Sequence, residues 1–115
     1  MTASPRTRRQ VTQYTLLLPA LRSRGVVLSE VPGVYEWVDD IVALCSGPGW
    51  DQAGMELKNW IRNDEWDTLY SELTDPSDTN ERYRVVSPLI TIFGETVREL
   101  FPWKPFTDPR LPLVS

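Results

Sequence analysis

The chain contains no histidine and a single cysteine, Cys45. It therefore lacks the commonest general base and metal ligand, and it can form no internal disulfide. A CxxC redox pair and a cysteine-based zinc site are excluded by the same count. Lysine is also scarce: ten Arg stand against two Lys, a bias typical of GC-rich coding sequence that suggests a bacterial or phage source. No apolar run approaches the roughly 20 residues a membrane-spanning helix needs. A secretory leader is not expected either, because Arg6, Arg8 and Arg9 are not followed by an h-region. The acid-free, Arg- and Ser/Thr-rich start shares its composition with organelle transit peptides, but an arm of the working protein is the preferred reading. A lone thiol fits a reducing compartment, so a cytoplasmic location is expected, with no cofactor, no metal and no membrane.

What remains is 115 residues, 41% of them hydrophobic, enough for one domain around one core. Charge is unevenly distributed. The first acid is Glu30, and Arg6, Arg8, Arg9, Arg22 and Arg24 precede it. Residues 1–29 thus carry +5, and the rest, with 7 basic against 16 acidic residues, carries −9. The net charge of −4 conceals a basic start on an acidic body.

The pattern along the chain is helical, punctuated by Pro and Gly. Val11, Tyr14, Leu18 and Leu21 recur three and four apart, which predicts a helix over 7–24, stopped at Gly25 and bent or divided near Leu18 by Pro19. Val26 to Leu28 reads as a short extended stretch. Val34, Trp37, Val38, Ile41 and Cys45 form the next stripe, ended by Gly47-Pro48-Gly49. Asp51 can then cap a helix whose face is Ala53, Leu57, Trp60 and Ile61. Trp66, Leu69, Tyr70 and Leu73 follow, with a cap near Asn63 or Asp64. Asp78 and Glu81 have capping-box spacing. After them Tyr83, Val86, Ile90, Phe93, Val97 and Leu100 give the clearest periodicity, predicting one kinked core helix, or a new helix starting at Pro88 with Ser87 as its cap. Four prolines from Pro102 to Pro112 forbid a helix beyond that point and favour an extended tail.

The predicted architecture is all-α, a bundle of about four to five helices in one domain. Residues 1–10 form a basic arm, 11–101 the helical body and 102–115 the Pro/Trp tail.

Candidate chemistry is sparse. Asp39-Asp40 and the Asp64, Glu65, Asp67 cluster are better explained as a solvated face and a helix start than as metal ligands. Cys45 has no activating partner and reads as a buried thiol. Ser46-Gly47-Pro48-Gly49 lacks the spacing and the lysine of a phosphate loop. Of the five Trp, Trp37, Trp60 and Trp66 fall on apolar stripes and read as core. Trp50 and the tail residues Trp103, Phe106 and Leu111 read as docking groups for a partner. The arginines Arg6, Arg8, Arg9, Arg22 and Arg24 are the one cluster whose functional reading rivals a structural one, since the planar guanidinium fork matches phosphate or carboxylate.

The expectation is a non-catalytic helical subunit of a bacterial or phage assembly, attached to other protein subunits and to a polyanion, nucleic acid or an acidic protein surface, through its arm and tail. Two alternatives belong to other classes. One is an inhibitor or immunity-type protein whose acidic face, Glu36, Asp39 and Asp40, masks a basic site. The other is a small carboxylate-dependent enzyme, which would need several acids converging in one pocket.

Overall fold

The computed structural model describes residues 4–45 and 47–101, and all regular structure among them is helical. The seven α-helices are α1 (Pro5–Ser23), α2 (Val34–Ala43), α3 (Pro48–Arg62), α4 (Trp66–Leu73), α5 (Glu81–Val86), α6 (Leu89–Ile92) and α7 (Gly94–Leu100). Two 3-10 turns, Leu28–Glu30 and Asp78–Asn80, sit between them. The expected four to five helices become seven because the predicted last helix is three. Ser87 is extended ahead of Pro88, as steric clash with a proline ring requires. Phe93, at φ −102° and ψ 36°, separates α6 from α7. The predicted stripe is kept in part: Tyr83, Val86 and Val97 are buried, Ile90, Phe93 and Leu100 are half-buried, and Leu89, outside the stripe, takes the buried position after Pro88.

α1 starts earlier than predicted. Ser4 Oγ accepts the Thr7 backbone N–H at 3.1 Å and Pro5 takes the first helical position, where its missing N–H costs nothing. Residues 5–10, expected as an arm, are the first turns of this helix. Pro19 does not divide it: the helix runs through to Ser23 with Pro19 on the exposed side. Burial of Leu17, Leu18 and Leu21 around it offsets the roughly 3 kcal/mol an interior proline costs. At the end Gly25, at φ 77°, supplies the left-handed residue. Its N–H reaches Arg22 O at 3.1 Å, and the Val26 N–H reaches Leu21 O at 3.1 Å, which together make a Schellman cap.

α3 ends in the same way, with Glu65 N–H on Trp60 O at 2.9 Å and Asp64 N–H on Ile61 O at 3.3 Å. The left-handed position there is Asp64, at φ 53°. Asp64 therefore closes α3 instead of capping α4, whose N-cap is Glu65. A left-handed backbone costs an ordinary L-residue about 1 to 2 kcal/mol, so Asp64→Gly should stabilise the fold by about 1 kcal/mol after allowing for the freer unfolded glycine chain. A urea melt showing no gain would contradict this account of the turn.

α3 is central, packing against α2, α4 and α5, while α1 lies across α4, α6 and α7. Leu57 and Ile61 of α3, Leu69 and Leu73 of α4, Val34 and Val38 of α2 and Leu17, Leu18 and Leu21 of α1 are fully buried in one cluster. α2 presents a narrower stripe than the sequence suggested. Trp37 is 41% exposed, and Cys45, beyond the helix end, is half-buried instead of buried. Trp60, Trp66 and Phe93 are half-buried against the core.

The expected Asp78–Glu81 capping box does not form, because Asp78 opens the 3-10 turn and Asn80 is the N-cap of α5, which puts Glu81 at its first position. The Asn80 side-chain amide donates instead to Glu72 O at 3.0 Å and Glu72 Oε1 at 2.7 Å. The turn before α5 is thereby tied to α4. Gly47 occupies the N-cap of α3 and Asp51 lies within its first turn, so Asp51 supplies dipole complementarity and not the cap.

Candidate polyanion groove

Arg6, Arg9, Gln10, Gln13 and Tyr14 follow one another at intervals of three, one, three and one, which places them on one face of α1. That face forms one wall of a groove of about 620 Å³. Arg84 and Val85 of α5, Ser87, and Ile90 and Thr91 at α6 form the other wall, and Ile41 of α2 also lines it. Arg6, Arg9, two amides and the Thr91 hydroxyl thus line one concavity, with the buried Arg84 and Ser87 at its base and without a carboxylate among the described lining residues.

The base of the groove is fixed by packing. The buried Tyr14 hydroxyl donates to Ser87 Oγ at 2.7 Å, and the same oxygen accepts the Leu89 N–H at 3.3 Å. The contact holds the break between α5 and α6 against the middle of α1. Burial pushes the Tyr14 phenol up to about 12 from its ordinary 10, although its contact with Ser87 and the positive charge of Arg84 pull the other way. Because the folded value lies above the unfolded one, the stabilisation is complete below pH 10 and is lost as pH rises through about 12. Tyr14→Phe should cost about 1 kcal/mol near neutrality and make the alkaline decline in stability shallower. Urea melts on either side of the tyrosine range check this, and an unchanged alkaline decline would contradict it.

Arg84 is only 3% exposed. Its guanidinium donates to the backbone carbonyls of Asp75 and Ser77, and its buried Nε has no hydrogen-bond partner among the described residues. Burial lowers its pKa, while Glu81, Asp75 and Asp78 support its charge electrostatically. An arginine remains cationic under such a shift. Nearby, the Tyr83 hydroxyl donates to the Glu56 carboxylate, which holds Glu56 below the usual carboxylate range. Arg82 lies over the Tyr83 ring at 5.0 Å. That cluster links α3 to α5.

The five arginines singled out by sequence are divided. Arg6 and Arg9 face the groove, and Arg8 is exposed and outside its lining. Arg22 pairs with Asp67 at 3.0 Å and Arg24 with Glu99 at 3.6 Å, at the far end of a helix where sixteen residues amount to about 24 Å. Sequence reasoning missed Arg84, Gln10, Gln13, Ser87 and Thr91. The three-and-four spacing from Arg6 to Tyr14 could have revealed the two amides. Trp50, expected at a partner surface, is half-buried against the core. Trp103, Phe106 and Leu111 lie outside the described residues.

The acidic candidates do not converge. Asp39 is held by Lys58 Nζ at 2.6 Å, and no group of three or more His, Cys, Asp or Glu among the described residues is placed to hold a metal. No described helix is long and apolar enough to cross a membrane. The chain matches no protein-family model, no curated protein and no solved structure.

Proposed function

We propose that this protein is a non-catalytic helical subunit of a larger assembly that contacts the phosphates of nucleic acid through the groove between α1 and the α5–α6 segment. The observation that carries the reading is the convergence of Arg6 and Arg9 with Gln10, Gln13 and Thr91 on one concave surface, over a base in which the buried Arg84 is held by the carbonyls of Asp75 and Ser77. Guanidinium forks and neutral donors together suit phosphate oxygens. The acidity of the body does not defeat this, because at physiological ionic strength charges beyond about 8 Å are largely screened. Arg6 and Arg9 therefore respond to their own wall more than to the net charge, while Glu81, Asp75 and Asp78 act on Arg84 at the base. Residues 102–115, with Trp103 and Phe106, supply a second attachment, to protein subunits. Catalysis finds little support in the groove: Tyr14 stays protonated to about pH 12 and cannot act as a base toward Ser87 near neutrality.

Native mass spectrometry of the complex isolated from its source, with and without nuclease, tests this reading. The expected result is a multi-subunit mass that falls on nuclease treatment. A multi-subunit mass that nuclease leaves unchanged would reassign the groove to an acidic protein partner, and a bare monomer would end the assembly reading.

A further inference from the structure

A second groove lies toward the other end of α1 and has the opposite character. Leu18 and Pro19 of α1 and Trp66 and Tyr70 of α4 line about 360 Å³, with the exposed Arg22–Asp67 ion pair at its rim. Trp66 and Tyr70 are four apart and share a helix face. Aromatic grooves with a charged rim are the surfaces that proline-rich segments recognise, because the extended left-handed polyproline form loses little entropy on docking.

The chain itself carries such a segment. Pro102 and Pro105, and again Pro109 and Pro112, have Pro-x-x-Pro spacing, with Lys104 inside the first and Arg110 inside the second. The segment starts near the same end of α1 as the groove: Arg24, the C-cap of α1, pairs with Glu99 at 3.6 Å, three positions before Pro102. Because two helical positions lie about 200° apart, the segment must pass around the end of α1 to reach the Arg22 side. At about 3.1 Å per residue, residues 102–112 can extend roughly 30 Å. The first repeat follows Phe101 directly, whereas the second has seven intervening residues in which to turn back.

We propose that this groove is the docking site of the chain's own C-terminal segment, with Pro109 and Pro112 on Trp66 and Tyr70 and Arg110 toward Asp67. Tethering favours the chain's own copy, since a short linker gives an effective concentration of about millimolar, so even a millimolar contact is about half occupied. A segment docked in this way is withheld from partners until they compete for it. The inference does not depend on the polyanion groove, which shares no lining residue with this one.

Paramagnetic relaxation in the full-length chain tests it. A nitroxide is attached through Ser115→Cys in a Cys45→Ser background, and the isotope-labelled, spin-labelled chain is diluted in unlabelled chain without nitroxide. The Trp66 indole and Tyr70 backbone signals should lose about half of their intensity or more, as half occupancy requires, while those of Gln10 and Gln13 should not. Adding Pro109→Ala and Pro112→Ala should restore the lost intensity. Absence of broadening at Trp66 and Tyr70, or broadening that persists without the two prolines, would overturn the proposal. So would broadening seen only when a labelled chain is mixed with a separate spin-labelled chain, which would assign the groove to a second copy.

Discussion

Gly54→Leu should destabilise the fold by about 3 kcal/mol, at the upper end of what overpacking usually costs. Gly54 is buried in α3 where that helix meets α2, and a Cβ there would stand 2.7 Å from Val42 Cγ2 and 3.6 Å from Val38 Cγ1. Its backbone is helical, so the constraint is space and not conformation. Gly54→Ala separates two opposed effects. Alanine gains about 1 kcal/mol of helix propensity over glycine, yet its methyl meets Val42, so a net loss of stability means that packing wins. Val42→Ala in the same chain should then recover part of the loss, since directly contacting residues couple by about 0.5 to 3 kcal/mol. Urea melts of the two single variants and the double variant decide it. A stabilised Gly54→Ala would show that α2 and α3 are less closely packed than described.

Helix ends and core stripes were legible in the sequence because they depend on local chemistry. Gly25 and Gly47 mark turns through positive φ, and Leu57 with Ile61, or Leu69 with Leu73, mark buried faces through spacing alone. The division of the last helix was less legible. Apolar spacing from Tyr83 to Leu100 is indifferent to a missing proline N–H, and short helices can keep their side chains in phase with one core. The alternative start at Pro88 came closer, since Ser87 Oγ does accept the Leu89 N–H. The capping-box spacing of Asp78 and Glu81 misplaced the start of α5 because Asn80, its N-cap, is held by Glu72 on another helix.

The groove was half legible for the same reason. Arg6 and Arg9 stand out in an acid-free stretch, but the removal of Arg22 and Arg24 into ion pairs depends on Asp67 and Glu99, distant in sequence. Arg84 gave no signal. It lies in a stretch with nearby Glu81, and its segment is joined to α1 by long-range contacts such as that of Tyr14 with Ser87.

If Arg6 and Arg9 contact phosphates, the largest consequence is electrostatic. Binding to nucleic acid should weaken linearly in log affinity against log salt, and each lost phosphate contact should reduce the slope by about 0.9 for duplex DNA or about 0.7 for single strands. Replacing both Arg6 and Arg9 by Ala should therefore reduce it by about 1.8 or about 1.4. Both side chains sit on the groove wall, and their loss leaves the Tyr14, Ser87 and Arg84 contacts in place. Arg22→Ala with Arg24→Ala removes the same formal charge from the opposite end of α1, and should leave the slope unchanged. Measuring the salt dependence of binding for the wild type and these two double variants, on duplex and single-stranded probes, is the most direct test. A reduced slope confined to the Arg6, Arg9 variant is the predicted result; equal slopes in all three proteins, or equal reductions in the two variants, would contradict a phosphate-binding groove.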